Sequence, residues 1–406
     1  MNREFFSLLS AFLNNEKLQD IKDYDWKNIA YLTDINNVEA MVYTAVKDIS
    51  EQVPEQYFLI LKNIFVKTAA LAFKREQALN NICSLLSSNA IEHFVVKGMV
   101  VKDYYPVSEL RTMGDVDIVI KPEDMEKAGR ILAENGFEYD EFHSDANVRD
   151  YIRSGILFEV HSGLIFKNTI PKVKAKEYFS DPFKHIEQSD KYTKTINKEY
   201  HFIYLIVHMA KHFMLGGFGV RMLMDIGAFV NKFGNEACWA EIRRGLKELN
   251  MLSFTQVVMR MCNIVFNTKV PEEIGTADIS EDDIYKMLDY LISGGVFGYE
   301  GRNEDAIRIN GSLENKDGIK GVFFRIKNIL SWIFPSYEHM IEKYDWFKGK
   351  SKFFLPFGWI YCIWYRMVKN RENSLERVNN AIKSANDVKE HYEMEKLMKF
   401  GENKED

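Results

Sequence analysis

The run Asp115-Val116-Asp117-Ile118-Val119-Ile120, entered through Gly114, constrains this chain more than any other stretch. Side chains alternate faces along a β-strand, so Val116, Ile118 and Ile120 share one face while Asp115 and Asp117 point to the other. With the apolar face buried, the two acids form one patch about 7 Å across. Each raises the pKa of the other unless a cation sits between them. Such a strand belongs in a sheet with an apolar side and a functional side.

The flanking segments supply the rest of that sheet. His93-Phe94-Val95-Val96-Lys97-Gly98 is a second β-rich run, and Gly98 begins a short helix expected from Met99 to Tyr105. Pro122-Glu123-Asp124 opens a further helix that Asn135-Gly136 closes, with proline and acids where a helix N-terminus prefers them. Two more strands are expected, from Phe137 to Phe142 and from Ile156 to His161. This order predicts a small domain with a mixed sheet. On both sides the apolar residues recur at three and four, as in Phe5, Leu8, Leu9 and Phe12, and again in Ile203, Ile206, Val207 and Ala210. The predicted fold class is α+β: a small mixed-sheet core flanked by N-terminal helices and a C-terminal all-helical domain. The expected boundaries are residues 1–90, 91–198 and 199–292, then a glycine- and asparagine-rich linker over 293–320 and a helical segment over 321–406.

Three acids suggest a metal centre. Glu159 lies inside the apolar run Ile156-Leu157-Phe158-Glu159-Val160-His161, where an unpaired charge is expensive. On a strand beside Asp115 and Asp117 it would complete a site for two magnesium or manganese ions, because magnesium takes a few carboxylates and fills its shell with water and phosphate. The alternative is a strand end with exposed acids and a Glu159–lysine pair. Gly98 lets the backbone approach a ligand, a helix N-terminus offers N–H groups to phosphate, and Lys97 adds charge. A plain turn with a solvated lysine fits the same residues. Arg111 is a second phosphate contact or a surface ion pair.

Composition excludes several classes. Apolar residues make up 46% and charged residues 28%, which rules out a mainly disordered or collagen-like chain. A net charge of −6 argues against a protein that coats nucleic acid. Cys83, Cys238, Cys262 and Cys362 are far apart without CxxC pairing, so neither zinc nor a disulfide framework is expected and a reducing cytoplasm fits. The N-terminus does not read as a signal peptide, and the apolar stretch Phe353 to Val368, interrupted by Pro356 and Gly358, is too short to span a bilayer. No transmembrane segment is expected.

Phe94-Val95-Val96-Lys97-Gly98, then Tyr105-Pro106, then Arg111-Thr112-Met113-Gly114-Asp115-Val116-Asp117 resemble an uncharacterised bacterial nucleotidyltransferase family reading LKG, YP and R-x-x-G-D-x-D, within the polymerase-beta-like superfamily. Phe158-Glu159-Val160-His161 is similar to that family's glutamate-histidine strand, and His208, Arg221 and Asp225 to its helical elements. The resemblance implies a nucleotidyltransferase core that moves an NMP from a nucleoside triphosphate such as ATP to an unidentified acceptor, releasing pyrophosphate. Asp115, Asp117 and Glu159 would be catalytic and metal-binding, and Lys97, Gly98, Arg111 and Gly114 nucleotide-binding. One departure stands out: the wider superfamily has Gly-Ser at the phosphate turn, where Met99 follows Gly98 here. A nucleotide-binding scaffold or sensor without turnover is therefore the alternative, with a toxin-like enzyme modifying RNA or protein as a third reading.

His208, Lys211 and His212 can share one helix face, and Arg221 and Asp225 are spaced for an i,i+4 pair. They are read as an interhelical polar network or as cleft lining. His161 shares a face with Glu159 and either orients it or is an ordinary strand histidine. Gly216-Gly217-Phe218-Gly219 lacks P-loop spacing and reads as a turn. Trp332, Trp346, Trp359 and Trp364, beside Lys348, Lys350 and Lys352, fit either core packing or peripheral contact with a membrane surface.

Overall fold

The computed structural model describes residues 2–400 except 142, 143, 145, 146, 171, 189, 301, 303–329, 332, 333 and 370–384. The expected linker at 293–320 and the start of the expected C-terminal helix, Ser374 to Lys399, fall largely or partly outside the described residues, as do residues 401–406 and Trp332.

Among the described residues a single sheet is built from β1 (His93–Val96), β2 (Asp115–Ile120), β3 (Glu138–Asp140), β4 (Val148–Arg153), β5 (Ile156–His161), β6 (Ile186–Gln188) and β7 (Thr193–Ile196). Their order is β3-β4-β5-β2-β1-β7-β6. The sheet is mixed as expected: β2 runs parallel to β5 and antiparallel to β1, and β1 runs parallel to β7. Strands β4, β6 and β7 were not legible in the sequence. β4 (Val-Arg-Asp-Tyr-Ile-Arg) and β7 (Thr-Lys-Thr-Ile) are polar enough to read as loop, and only pairing with β5 and β1 makes them strands.

The described helices are α1 (Arg3–Asn14), α2 (Trp26–Asn36), α3 (Glu39–Val46), α4 (Glu55–Ser88), α5 (Gly98–Val101), α6 (Met125–Glu134), α7 (Ala175–Tyr178), α8 (Lys198–Met214), α9 (Val220–Phe233), α10 (Trp239–Glu248), α11 (Leu252–Phe266), α12 (Glu281–Ser293), α13 (Tyr337–Lys343), α14 (Leu355–Lys369) and α15 (Ala385–Leu397). One face of the sheet packs Val116, Ile118, Ile120 and Phe158 against Ile82 and Leu86 of α4 and Ala128 and Leu132 of α6. Burying each such side chain contributes about 1.5–3 kcal/mol. The other face turns Phe94, Val96 and Val119 toward the large helical core. The two aspartates lie on that second face, so the site forms between sheet and helices.

The N-terminal helices do not stand alone. Residues of α1–α3 share one core with α8–α12, and Asn14 Nδ2 donates to the carbonyl of Phe266 at 2.8 Å. The C-terminal helix α15 returns to that core, where His391 Nδ1 and the Tyr290 hydroxyl are 2.7 Å apart. Helix α4 is long and apolar enough to cross a membrane by length and composition, a feature the sequence reading did not single out. The apolar window that meets this test is almost wholly exposed, with Ile60, Val66 and Phe73 open, while the C-terminal half of the helix supports the sheet, with Ile82 and Leu86 fully buried and Arg75 Nη2 donating to the carbonyl of Met113 at 2.8 Å.

Candidate active site

The parallel register sets Asp117 directly beside Glu159, with His161 opposite Val119 one pleat further along. All four point to the same face. Antiparallel pairing of Val96 with Asp117 brings the next residue, Lys97, to the same end of the sheet. Lys97 Nζ lies 2.5 Å from Asp117 Oδ1 and 3.9 Å from Glu159 Oε2. His161 Nε2 lies 2.9 Å from Asp117 Oδ1 and 3.1 Å from Glu159 Oε2. Asp117 is thereby sealed at 2% exposure, while Asp115 and Glu159 remain open to a cavity of about 480 Å³.

The electrostatics follow from this packing. Burial disfavours the Asp117 carboxylate, but Lys97 and His161 outweigh it and hold the group well below the usual carboxylate range. Burial likewise opposes charge on Lys97 and His161, and Asp117 with Glu159 raises both above their ordinary values. Among the described residues Asp115 has no cationic side chain hydrogen-bonded to it, and Lys97 acts on it only from a distance. Burial, then repulsion from Asp117 and Glu159, pushes it up to about 6. That corresponds to about 3 kcal/mol against its ionised form, a cost a bound cation removes. The donor set fits a divalent ion: ligand atoms of Asp117, Glu159 and His161 lie within 4.8 Å of one another. Carboxylate oxygens suit both magnesium and manganese.

Lys97 is held in an unusual backbone conformation, with φ 53° and ψ −130°. For a residue with a side chain this costs about 1–3 kcal/mol and persists only where the surroundings enforce it. The enforcing contact comes from α8: the Lys97 N–H donates to His201 Nε2 at 3.2 Å, and His201 Nδ1 is 3.1 Å from the Tyr104 hydroxyl. Burial lowers His201 to about 3, so it is neutral and its Nδ1–H points to Tyr104. Gly98 is required by close approach, since a Cβ there would lie 2.9 Å from Arg111 Nη1. The helix expected from Met99 to Tyr105 is broken into the one-turn α5 and a 3-10 turn over Lys102–Tyr104. Met99 is buried in the core behind the sheet and presents nothing to the site.

The facing wall comes from α8 and α9. His208, Lys211, His212 and Arg221 line the cavity, together with Asn37 and Phe297. His208 and His212 meet through their Nε2 atoms at 3.1 Å, and burial, then His212, drives His208 well below its ordinary pKa. Arg221 and Asp225, expected as an i,i+4 pair, each reach instead to the segment before β2. Asp225 accepts from Arg111 Nε at 3.1 Å, from Arg111 Nη2 at 2.6 Å and from the Tyr105 hydroxyl at 2.6 Å. Arg221 Nη1 donates to the carbonyl and hydroxyl of Thr112 at 2.6 and 2.7 Å. The pairing across elements wins because it satisfies a buried guanidinium bidentately. Arg111 is therefore a buried strut, neither a surface ion pair nor a freely reaching side chain, although its edge lines the cavity. Arg221 Nε is buried with no hydrogen-bond partner among the described residues, and burial, then Arg111, lowers Arg221 to about 10.

Sequence reasoning missed His201, Tyr104 and Thr112. His201 lies two turns before His208 on the same helix, which was the only signal available; the backbone of Lys97 that gives it a purpose was not legible. Gly114 opens β2 at the cavity edge with open space where a Cβ would stand.

Among curated proteins none matches the chain. A solved structure of tRNA nucleotidyltransferase complexed with a primer tRNA and an incoming ATP analog aligns over 78% of this chain and 98% of that one. Its identity is 14% and its TM-score 0.23. A family model described as "Uncharacterised nucleotidyltransferase" matches residues 22–267, more than half the chain, and takes in every site residue described above except Phe297. The chain belongs to this uncharacterised nucleotidyltransferase family.

Proposed function

We propose that the protein transfers a nucleoside monophosphate from a nucleoside triphosphate to an acceptor hydroxyl, releasing pyrophosphate, with two magnesium or manganese ions held by Asp115, Asp117 and Glu159. The observation that carries this reading is the in-register pair Asp117 and Glu159, with Asp115 beside them, at the mouth of a cavity whose opposite wall is basic. Bound there, such ions would supply charge neutralisation for the triphosphate and would lower the pKa of the acceptor hydroxyl.

The chain's own groups then have separable tasks. Lys211 and Arg221 face the carboxylates across the cavity, and the unpartnered Nε of Arg221 is a donor for a phosphate oxygen. Lys97 stands among the carboxylates and turns to the triphosphate when that charge is met otherwise. The acceptor oxygen attacks the α-phosphorus, the bond to the β-phosphate oxygen breaks, and Glu159 takes the hydroxyl proton. Positioning and charge complementarity do most of this work.

The test is Asp117→Asn, assayed for pyrophosphate release and for manganese binding by calorimetry. The expected outcome is loss of both with an unchanged circular dichroism spectrum; full turnover in the variant overturns the proposal. The second reading, a nucleotide-binding scaffold, is favoured by buried Met99, which leaves the phosphate turn without a hydroxyl. Tight binding of a nonhydrolysable triphosphate, with no pyrophosphate released for any acceptor, selects that reading.

A further inference from the structure

Residues 336–364 carry a small core of their own. Met340 of α13, Phe347 and Cys362 of α14 are buried together, and Gly358 permits the contact, since a Cβ there would lie 2.8 Å from Met340 Cε and 2.9 Å from Phe347 Cε2. One face of α14 is thereby occupied. On its other face Phe357, Ile360 and Trp364 are spaced by three and four residues and stand 66%, 64% and 56% exposed. Phe353, just ahead of the helix, is 90% exposed. Nothing among the described residues covers this stripe.

Charge says what does. Lys348, Lys350 and Lys352 alternate immediately before the stripe, against one acid, Asp345, between Tyr344 and Trp364. Lys352 forms an ion pair with Glu338 at 3.9 Å that is exposed on both sides. A local basic cluster on a chain of net charge −6 points to an anionic partner. A second copy is disfavoured, because a twofold contact sets a patch against itself and would bring lysines together. Aromatic rings beside lysines match the boundary between lipid headgroups and acyl chains, and anchoring there takes two signals, an apolar one and a basic one. α14 has 15 residues, short of a span, so it lies in the plane of the surface.

We propose that this unit docks the protein on an anionic phospholipid bilayer, with Phe353, Phe357, Ile360 and Trp364 at the headgroup boundary and Lys350 and Lys352 against lipid phosphates. The proposal is independent of the nucleotidyl-transfer reading. Its test is flotation of the full chain with vesicles of phosphatidylcholine alone and with vesicles containing phosphatidylglycerol. Flotation only with the anionic vesicles is expected. The double variant Phe357→Asp/Trp364→Ser should lose it at least tenfold with unchanged thermal melting, and Lys350→Ala/Lys352→Ala should weaken it roughly fivefold per lysine. Failure to float with anionic vesicles overturns the proposal, as does equal flotation with both kinds or indifference to either double variant. A concentration-dependent dimer without lipid that Phe357→Asp/Trp364→Ser dissolves also overturns it and assigns the face to a second copy.

Discussion

Lys97 is where local rules and the site conflict most openly. Its backbone angles suit glycine, yet a glycine would remove the ammonium that compensates Asp117 and Glu159. Lys97→Met keeps the strain and deletes only the charge. Removing one partner of a buried pair typically costs about 3–5 kcal/mol, and the metal-free variant should be destabilised at the low end of that range in urea unfolding, because the lysine is partly exposed. A divalent ion should restore stability, so the rise in melting temperature on adding manganese is expected to be larger in Lys97→Met than in the parent. An equal rise in both would show that lysine and metal do not compete for the same charge. His201→Ala tests the same residue from behind: the Lys97 N–H loses its acceptor, and activity should fall while triphosphate affinity, measured separately, changes less.

At the scale of elements, α9 is fastened to the segment before β2 by Asp225, Arg111 and Tyr105. Asp225→Asn leaves the Arg111 guanidinium buried without its counter-charge, and a loss of about 3–5 kcal/mol is expected from chemical denaturation. Replacement of Arg111 and Asp225 together by apolar residues should cost less than Asp225→Asn alone, since no charge is then stranded. The turn between α8 and α9 was legible as a turn, but its glycines answer to something not adjacent in sequence. A Cβ on Gly217 would lie 2.3 Å from the carbonyl oxygen of Gly298, and both glycines have positive φ. Two backbones cross there, which brings Phe297 into the cavity wall.

For the whole molecule, pH dependence distinguishes the acids. Asp115 has a folded pKa raised to about 6, above its ordinary 3.8, so its contribution to metal-free stability is complete below about pH 4 and is lost as the pH rises toward 6. Asp117 has the opposite sign: its stabilisation holds above the ordinary carboxylate pKa and is lost only as strongly acid pH is reached. Asp115→Asn should therefore stabilise the metal-free protein by about 1–3 kcal/mol near pH 8 and hardly at all near pH 4. Metal affinity runs the other way, because binding needs Asp115 ionised: calorimetry should find it rising up to tenfold per pH unit below about 6, with any further rise above that coming from His161, whose raised pKa means it too must give up a proton to ligate. A flat profile would remove Asp115 from the ligand set.

The alternation of Asp115 to Ile120, the apolar setting of Glu159 and the helical period on both sides were readable because each depends on spacing within a few residues. That sufficed for the α+β class and for the strand bearing the acids, while the family followed from the resemblance of the motifs around Lys97-Gly98 and Arg111 to Asp117. Residues distant in sequence were not readable in the same way. The sequence offered Arg221 and Asp225 as an i,i+4 pair or as part of an interhelical polar network, and only tertiary packing decided for the network by giving each a partner on another element. It separated the first helices from those after Glu199, whereas burial of their apolar faces made one core of both. Spacing is a local property of the chain, while the satisfaction of buried charge and apolar area is decided only when distant segments meet.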